Sequence, residues 1–224
     1  MEWTSVGSVR DLHRNFALAE FEVPVGGRRH TRPHFRRELL ARVLQGDRSG
    51  FSAGDREALR RAVLSARRTL VEPMERFVDR WQMARVEHED QRRLRVMNLR
   101  IFASPVPSRK LAKPSAALDR GRFLRTWNAR HYQALRDGFD LTRMHGIPIL
   151  AGERLRGPFT IVEGTTRLCS AYSRFRGSDP RVVPFPVLVG PGRRLRKWSW
   201  YSAARTASNS TVGSTPAHVT PSID

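Results

Sequence analysis

Five consecutive residues carry the groups that would bind a phosphate or act on one: Glu163, Gly164, Thr165, Thr166 and Arg167. A carboxylate can serve as a base or hold a metal ion. The glycine allows a sharp turn and a close backbone approach. If a helix opens at Thr165, its first amides point outward unpaired and the positive end of its dipole favours an anion. Two hydroxyls add hydrogen bonds, and a guanidinium adds a permanent charge with forked donors. This pattern predicts a phosphate cradle of Gly164, Thr165, Thr166 and Arg167, with Glu163 as the candidate catalytic residue. The same letters also fit plain architecture, in which a threonine caps the helix, the glycine turns the chain and Arg167 pairs with Glu163. Spacing alone leaves both open.

A second group lies near the end of the chain. Arg193, Arg194, Arg196 and Lys197 run into Trp198, Trp200 and Tyr201. Cations interleaved with rings suit nucleic acid or a nucleobase, through phosphate contacts and stacking. Arg194, Lys197, Trp198 and Trp200 are the candidates for that role. The alternative is a last strand whose alternate Trp198 and Trp200 pack on the core. His30 and His34 have a metal-ligand spacing on a helix, but Gly26, Gly27 and Pro33 oppose a helix there. No metal site is expected. The lone Cys169 cannot form an internal disulfide.

The elements that must position these groups follow from periodicity. Residues 1–34 show none and read as irregular. Phe35, Leu39, Leu40 and Val43 have helical spacing, closed by Gly46. A longer stripe runs through Leu59, Val63, Ala66, Leu70, Met74, Phe77 and Trp81, opened by a Ser52–Asp55 capping box. Pro73 places a kink near Glu72. Arg60, Arg61, Arg67 and Arg68 fall off that stripe, as either a solvated face or a nucleic-acid face. Residues 95–102 read as a strand, 103–121 as a long connection and 119–138 as a helix. Ile147–Leu150 and Phe159–Val162 then form a hairpin, a helix covers Thr165–Phe175, and Arg181–Gly190 is a buried strand. Beyond Tyr201 the chain is rich in Ser and Thr, with no period, and is expected to be disordered.

Charge narrows the partners. With 41 Lys and Arg against 21 Asp and Glu, the net charge is +20, which favours polyanions. Only Lys110, Lys113 and Lys197 are lysines, which is compatible with arginine-favouring codon usage; that would explain arginine over lysine but not the excess over acids. No apolar run is long enough to span a membrane, and the first residues lack a signal-peptide core. The expectation is a cytoplasmic protein that binds a nucleotide or nucleic acid and avoids the membrane. Its N-terminal helices offer a surface for a protein partner.

The run from Leu141 to Ala171 resembles the ParB/sulfiredoxin-like superfamily. Gly146–Ile149, the strand Phe159–Val162, Gly164–Arg167 and the small residues Ser170–Ala171 match that family's order of elements, and Pro186–Val189 matches its following strand. The similar "AGERL" letters at Ala151–Leu155 sit between two strands and are a decoy. The resemblance covers about residues 95–201 and implies a nucleotide- or nucleic-acid-binding fold. It also implies a nucleoside triphosphate with Mg²⁺ as the ligand of an active form. In that case the protein would be a phosphotransferase or nuclease using Glu163. A non-catalytic protein-interaction module is the other alternative. The chain departs from the family at Thr165, where sulfiredoxins carry their cysteine, and at Thr166, where many relatives carry histidine. Both changes keep a phosphate cradle and remove the usual acid–base group. The expected architecture is α+β: a basic, mainly helical region over 1–94, a small mixed α/β domain over 95–201 and a tail over 202–224.

Overall fold

The computed structural model describes residues 1–21, 37–44, 51–97, 110–112, 115–116, 120, 146–175, 185–198 and 201. The strands are β1 (Glu2–Gly7), β2 (Trp81–Val86), β3 (Leu94–Val96), β4 (Ile149–Gly152), β5 (Phe159–Glu163) and β6 (Phe185–Pro191). The helices are α1 (Val9–Phe21), α2 (Arg37–Leu44), α3 (Ala53–Phe77) and α4 (Thr165–Phe175). All six strands join one mixed sheet in the order β1-β2-β6-β4-β5-β3, so the protein is α+β. β4 lies parallel to β6 and antiparallel to β5, with Gly152 opposite Pro191 and Ile149 opposite Glu163. The sheet draws β1 and β2 from residues before 94 and the other strands from residue 94 onward.

Alternation along the central strands sends side chains to two cores. Leu188, Ile149, Ala151 and Val162 face α1 and α3, where they meet Phe16, Val63, Val71 and Met74. Val187, Val189, Leu150, Phe159 and Ile161 face the other way and pack with Leu168, Cys169 and Ala171 of α4. A fully buried side chain of this size contributes about 1.5–3 kcal/mol. Three strands separate β1 from β5 in the sheet order, about 19 Å when flat. Yet the Trp3 and Phe159 rings meet edge to face with centroids 6.5 Å apart. The sheet is therefore strongly curled toward the α4 face.

Several expectations match this fold. β4 and β5 form the predicted antiparallel pair, and β5 gives way to α4 across Gly164. The Ser52–Asp55 capping box opens α3, with both reciprocal bonds at 3.0 Å. Others are corrected. Residues 1–34 are not irregular throughout, because β1 and α1 occupy most of the first 21. β1 is an edge strand exposed on nearly every residue, so its sequence lacks the alternation that marks a half-buried strand. The break in α3 falls at Arg67 (φ −139°, ψ 37°) rather than near Glu72. Pro73 offers no amide proton to the Thr69 carbonyl, yet the backbone around it stays helical and Arg67, six positions earlier, is the residue that leaves the helical range. The final strand that would carry Trp198 is a short 3₁₀ segment, Arg193–Lys197. The predicted helix over 119–138 apart from Arg120, most of the connection before it, the His30/His34 pair and the tail lie outside the described residues.

The corner at Arg67 has a visible consequence. Residues 15 positions apart in a straight helix stand about 22 Å apart. Arg60 nevertheless bonds Glu75 through Nε at 2.9 Å and Nη2 at 3.0 Å. The two arms of α3 thus fold back on each other, and α1 packs across them.

Candidate functional site

Gly164 stands where β5 ends, at φ +85°, and its carbonyl accepts the first bond of α4 from Leu168 N at 2.9 Å. It is therefore the residue that caps the helix, and neither threonine does. A Cβ at this position would sit 3.0 Å from the Pro148 Cβ, so both the backbone angle and the space favour glycine. Thr165 and Thr166 form the first turn, half-buried, with helical amides opening beside them.

Arg167 does not point out from this turn. Its side chain is only 12% exposed. Nη1 donates to the carbonyl of Gly146, and Nη2 donates to Glu163 Oε1 at 3.4 Å. Burial pulls the guanidinium's pKa down, while the Glu163 charge and hydrogen bond pull it up. The group stays charged and held from within. On the far side of Gly146, the amide of Ile147 donates to Asn15 Oδ1 at 2.9 Å. Arg167 thus ties α4 and the end of β5 to the segment entering β4, which is itself pinned to α1. Glu163 is engaged in the same clasp.

The second group of candidates lies elsewhere. Gly152, the last residue of β4, pairs with Pro191, the end of β6 just before the 3₁₀ segment, whereas Glu163 pairs with Ile149 at the N-terminal end of β4. The structure therefore places Gly164–Arg167 and Arg193–Lys197 at opposite ends of one strand. Trp198 is 6% exposed and packs in the core with Leu195, so its ring faces are covered by protein. Trp200 lies outside the described residues. The hydroxyl of Tyr201 accepts a bond from Glu153 N at 3.0 Å.

Arg194 and Lys197 are exposed, and the fold supplies them with neighbours the sequence did not suggest. The end of α3 meets the 3₁₀ segment closely. Asp79 N donates to Pro191 O at 2.9 Å, Asp79 Oδ2 accepts from Arg193 N at 3.2 Å, and Arg194 Nη2 donates to Arg76 O at 3.1 Å. A Cβ on Gly192 would collide with the Phe77 carbonyl, so glycine permits this approach. Arg76 and Arg80 thereby join Arg193, Arg194, Arg196 and Lys197 on one exposed corner. Among the described residues, none of these six side chains is in an ion pair, and Asp79 is the acid placed among them. Three arginines earlier on α3 differ. Arg60 is paired with Glu75, Arg61 with Glu57 at 3.7 Å and Arg68 with Glu72 at 3.1 Å.

A third cluster was invisible in the sequence. His13 Nε2 lies 2.6 Å from Glu75 Oε1, across 62 positions, and the same carboxylate takes both bonds from Arg60. Burial lowers the His13 pKa and outweighs the nearby carboxylate. Burial also opposes the Glu75 charge, but the bonds from Arg60 and His13 hold its pKa below the usual carboxylate value. The neutral ring donates from Nε2, because a carboxylate can only accept, and Nδ1 then carries the lone pair.

Two results are expected. Glu75→Gln removes the charge that joins α1 to both arms of α3. It should cost about 2–3 kcal/mol, read as a melting temperature lower by about 5–10 °C. The unfolded His13 ring takes up a proton near pH 6.5, and the folded ring only at lower pH. Between those values the folded state binds fewer protons, so stability falls as the pH is lowered through this window. Denaturant melts at pH 7.5 and 5.5 should show that loss, and His13→Asn should reduce it.

Among the described residues, no three His, Cys, Asp or Glu side chains cluster as a metal site, and no helix is long and apolar enough to cross a membrane. No protein-family model, curated protein or solved structure matches the chain.

Proposed function

We propose that this protein binds nucleic acid, with the corner formed by the end of α3 and the Arg193–Lys197 segment as the phosphate-contacting surface. One observation carries this reading: the bonds of Arg193 N to Asp79 and of Arg194 to Arg76 O bring two distant segments with six exposed cations side by side, and among the described residues none of the six is in an ion pair. Basic composition alone would scatter arginines among acids, as on α3. Gathering like charges costs repulsion, and a polyanion relieves it by releasing its own counterions. Trp198 is covered, so recognition rests on the backbone phosphates rather than on stacking by that ring.

On this proposal, residues 95–201 form a ParB/sulfiredoxin-like unit. Its support is the order β4, turn, β5, Gly164 and α4, together with the half-buried Thr165 and Thr166 at the helix opening. Arg167 acts there as the clasp and not as the phosphate ligand. Threonines where relatives place acid–base groups favour binding over turnover. Fluorescence anisotropy with a random-sequence duplex tests the proposal. Binding should be tight at low salt, and Gln at Arg193, Arg194, Arg196 and Lys197 should weaken it. Equal binding by that variant would overturn the placement.

A further inference from the structure

A cavity of about 230 Å³ opens between the start of α1 and the first arm of α3, well apart in sequence from Gly164–Arg167 and from the Arg193–Lys197 segment. Arg10, Arg14 and Arg56 line it, together with His13. Among the described lining residues the carboxylate is Asp11, which is already committed: its Oδ2 accepts from Ser8 N at 2.9 Å and Ser8 Oγ at 2.8 Å, closing the cap of α1. Arg56 uses one of its N–H donors on the Phe51 carbonyl at 2.6 Å, and a guanidinium carries five. Arg14 Nη2 is engaged with the Val43 carbonyl at 3.5 Å, which leaves Arg10 and Arg56 as the cations facing the space, with Phe51 and Leu59 as an apolar wall.

We infer that this cavity binds a small phosphomonoester, its phosphate on Arg10 and Arg56 and its organic part on Phe51 and Leu59. Forked guanidiniums match phosphate oxygens in pairs. The volume lies below the range of drug-sized sites, which limits the organic part to one small ring or a few carbons. His13 suits the same ligand. With Nε2 held on Glu75, its Nδ1 lone pair can take a proton from a phosphate hydroxyl. The charged groups around that ring are Glu75, Arg60 and Glu57 from α3, plus Arg10, Asp11, Arg14 and Arg56 lining the cavity. A bound dianion adds negative charge to this set and should raise the pKa of the ring.

The test uses the full chain with inorganic phosphate and phenyl phosphate as probes, followed by calorimetry and by NMR titration of the His13 ring. Saturable binding is expected, with Kd on the order of 1 mM for phosphate and a lower value for phenyl phosphate. The His13 ring should titrate at higher pH when either probe is bound. Arg10→Gln with Arg56→Gln should weaken binding at least tenfold, while Arg196→Gln with Lys197→Gln should leave it unchanged. Should the Arg56 change disturb folding, Arg10→Gln alone carries the comparison, because Arg10 is exposed. Absence of saturable binding overturns the inference. So does binding that survives Arg10→Gln unchanged, or that falls equally in the Arg196 and Lys197 variant. Failure of duplex binding at the basic corner would leave this site untouched, so the two proposals fall separately.

Discussion

Arg167→Ala should unfold the protein far more readily and should report a structural loss before any loss of binding. The side chain is 12% exposed and joins three segments: its own helix, the Glu163 end of β5 and the Gly146 carbonyl. Removing it leaves a carboxylate that is only 20% exposed without its countercharge, and a buried carbonyl without that donor. Breaking a buried pair from one side costs about 3–5 kcal/mol. For a chain of this length that lowers the melting temperature by roughly 10–15 °C. Arg167→Lys should recover only part of the loss, since one ammonium cannot reproduce a fork aimed at two acceptors. Glu163→Gln should cost less than either, because the amide oxygen still accepts from Nη2. Thermal melts of the three variants order the effects. If Arg167→Ala melts like the parent and instead loses phosphate affinity, the clasp is wrong and the residue is a phosphate ligand.

That contrast marks how far local pattern carries. β5, Gly164 and α4 were legible because a short apolar run, a glycine and a helical period are all local signals. So were the Ser52–Asp55 cap and the β4–β5 pair. The choice between cradle and clasp was not. Whether Arg167 turns outward or inward depends on the Gly146 carbonyl, 21 positions earlier, and on the pinning of its neighbour Ile147 by Asn15 from α1. β1 was missed because an exposed edge strand needs no alternation. The return of α3 on itself was missed because Pro73 points to a break near Glu72, while the backbone leaves the helical range at Arg67. The basic corner depends on contacts across 118 positions, and the His13–Glu75 bond spans 62. No spacing rule reaches that far, since packing alone brings such residues together.

Duplex binding at that corner should depend steeply on salt. Six phosphate contacts predict a logarithmic slope near −5, hence a loss of about 10³ in affinity between 50 and 200 mM salt. Changing Arg193, Arg194, Arg196 and Lys197 to Gln removes four of those contacts and should flatten the slope by about 4. Arg61→Gln with Arg68→Gln is the matched control. Those side chains are more than 70% exposed but already face Glu57 and Glu72, so a phosphate must compete with a carboxylate for each. Their loss should move the slope by less than about 1, since exposed pairs contribute little either way. Single strands give a second reading. Their counterion slope is shallower, about 0.7 per contact against 0.9 for duplex. Stacking would normally restore affinity at about 1–3 kcal/mol per base. With Trp198 in the core, that compensation is missing from its ring, and duplex should bind at least as well as single strand at low salt. A flat salt response would remove nucleic acid as the partner. An equal loss from the α3 control would move the contact surface off the corner. A strong preference for single strands would require exposed rings where this fold has buried one.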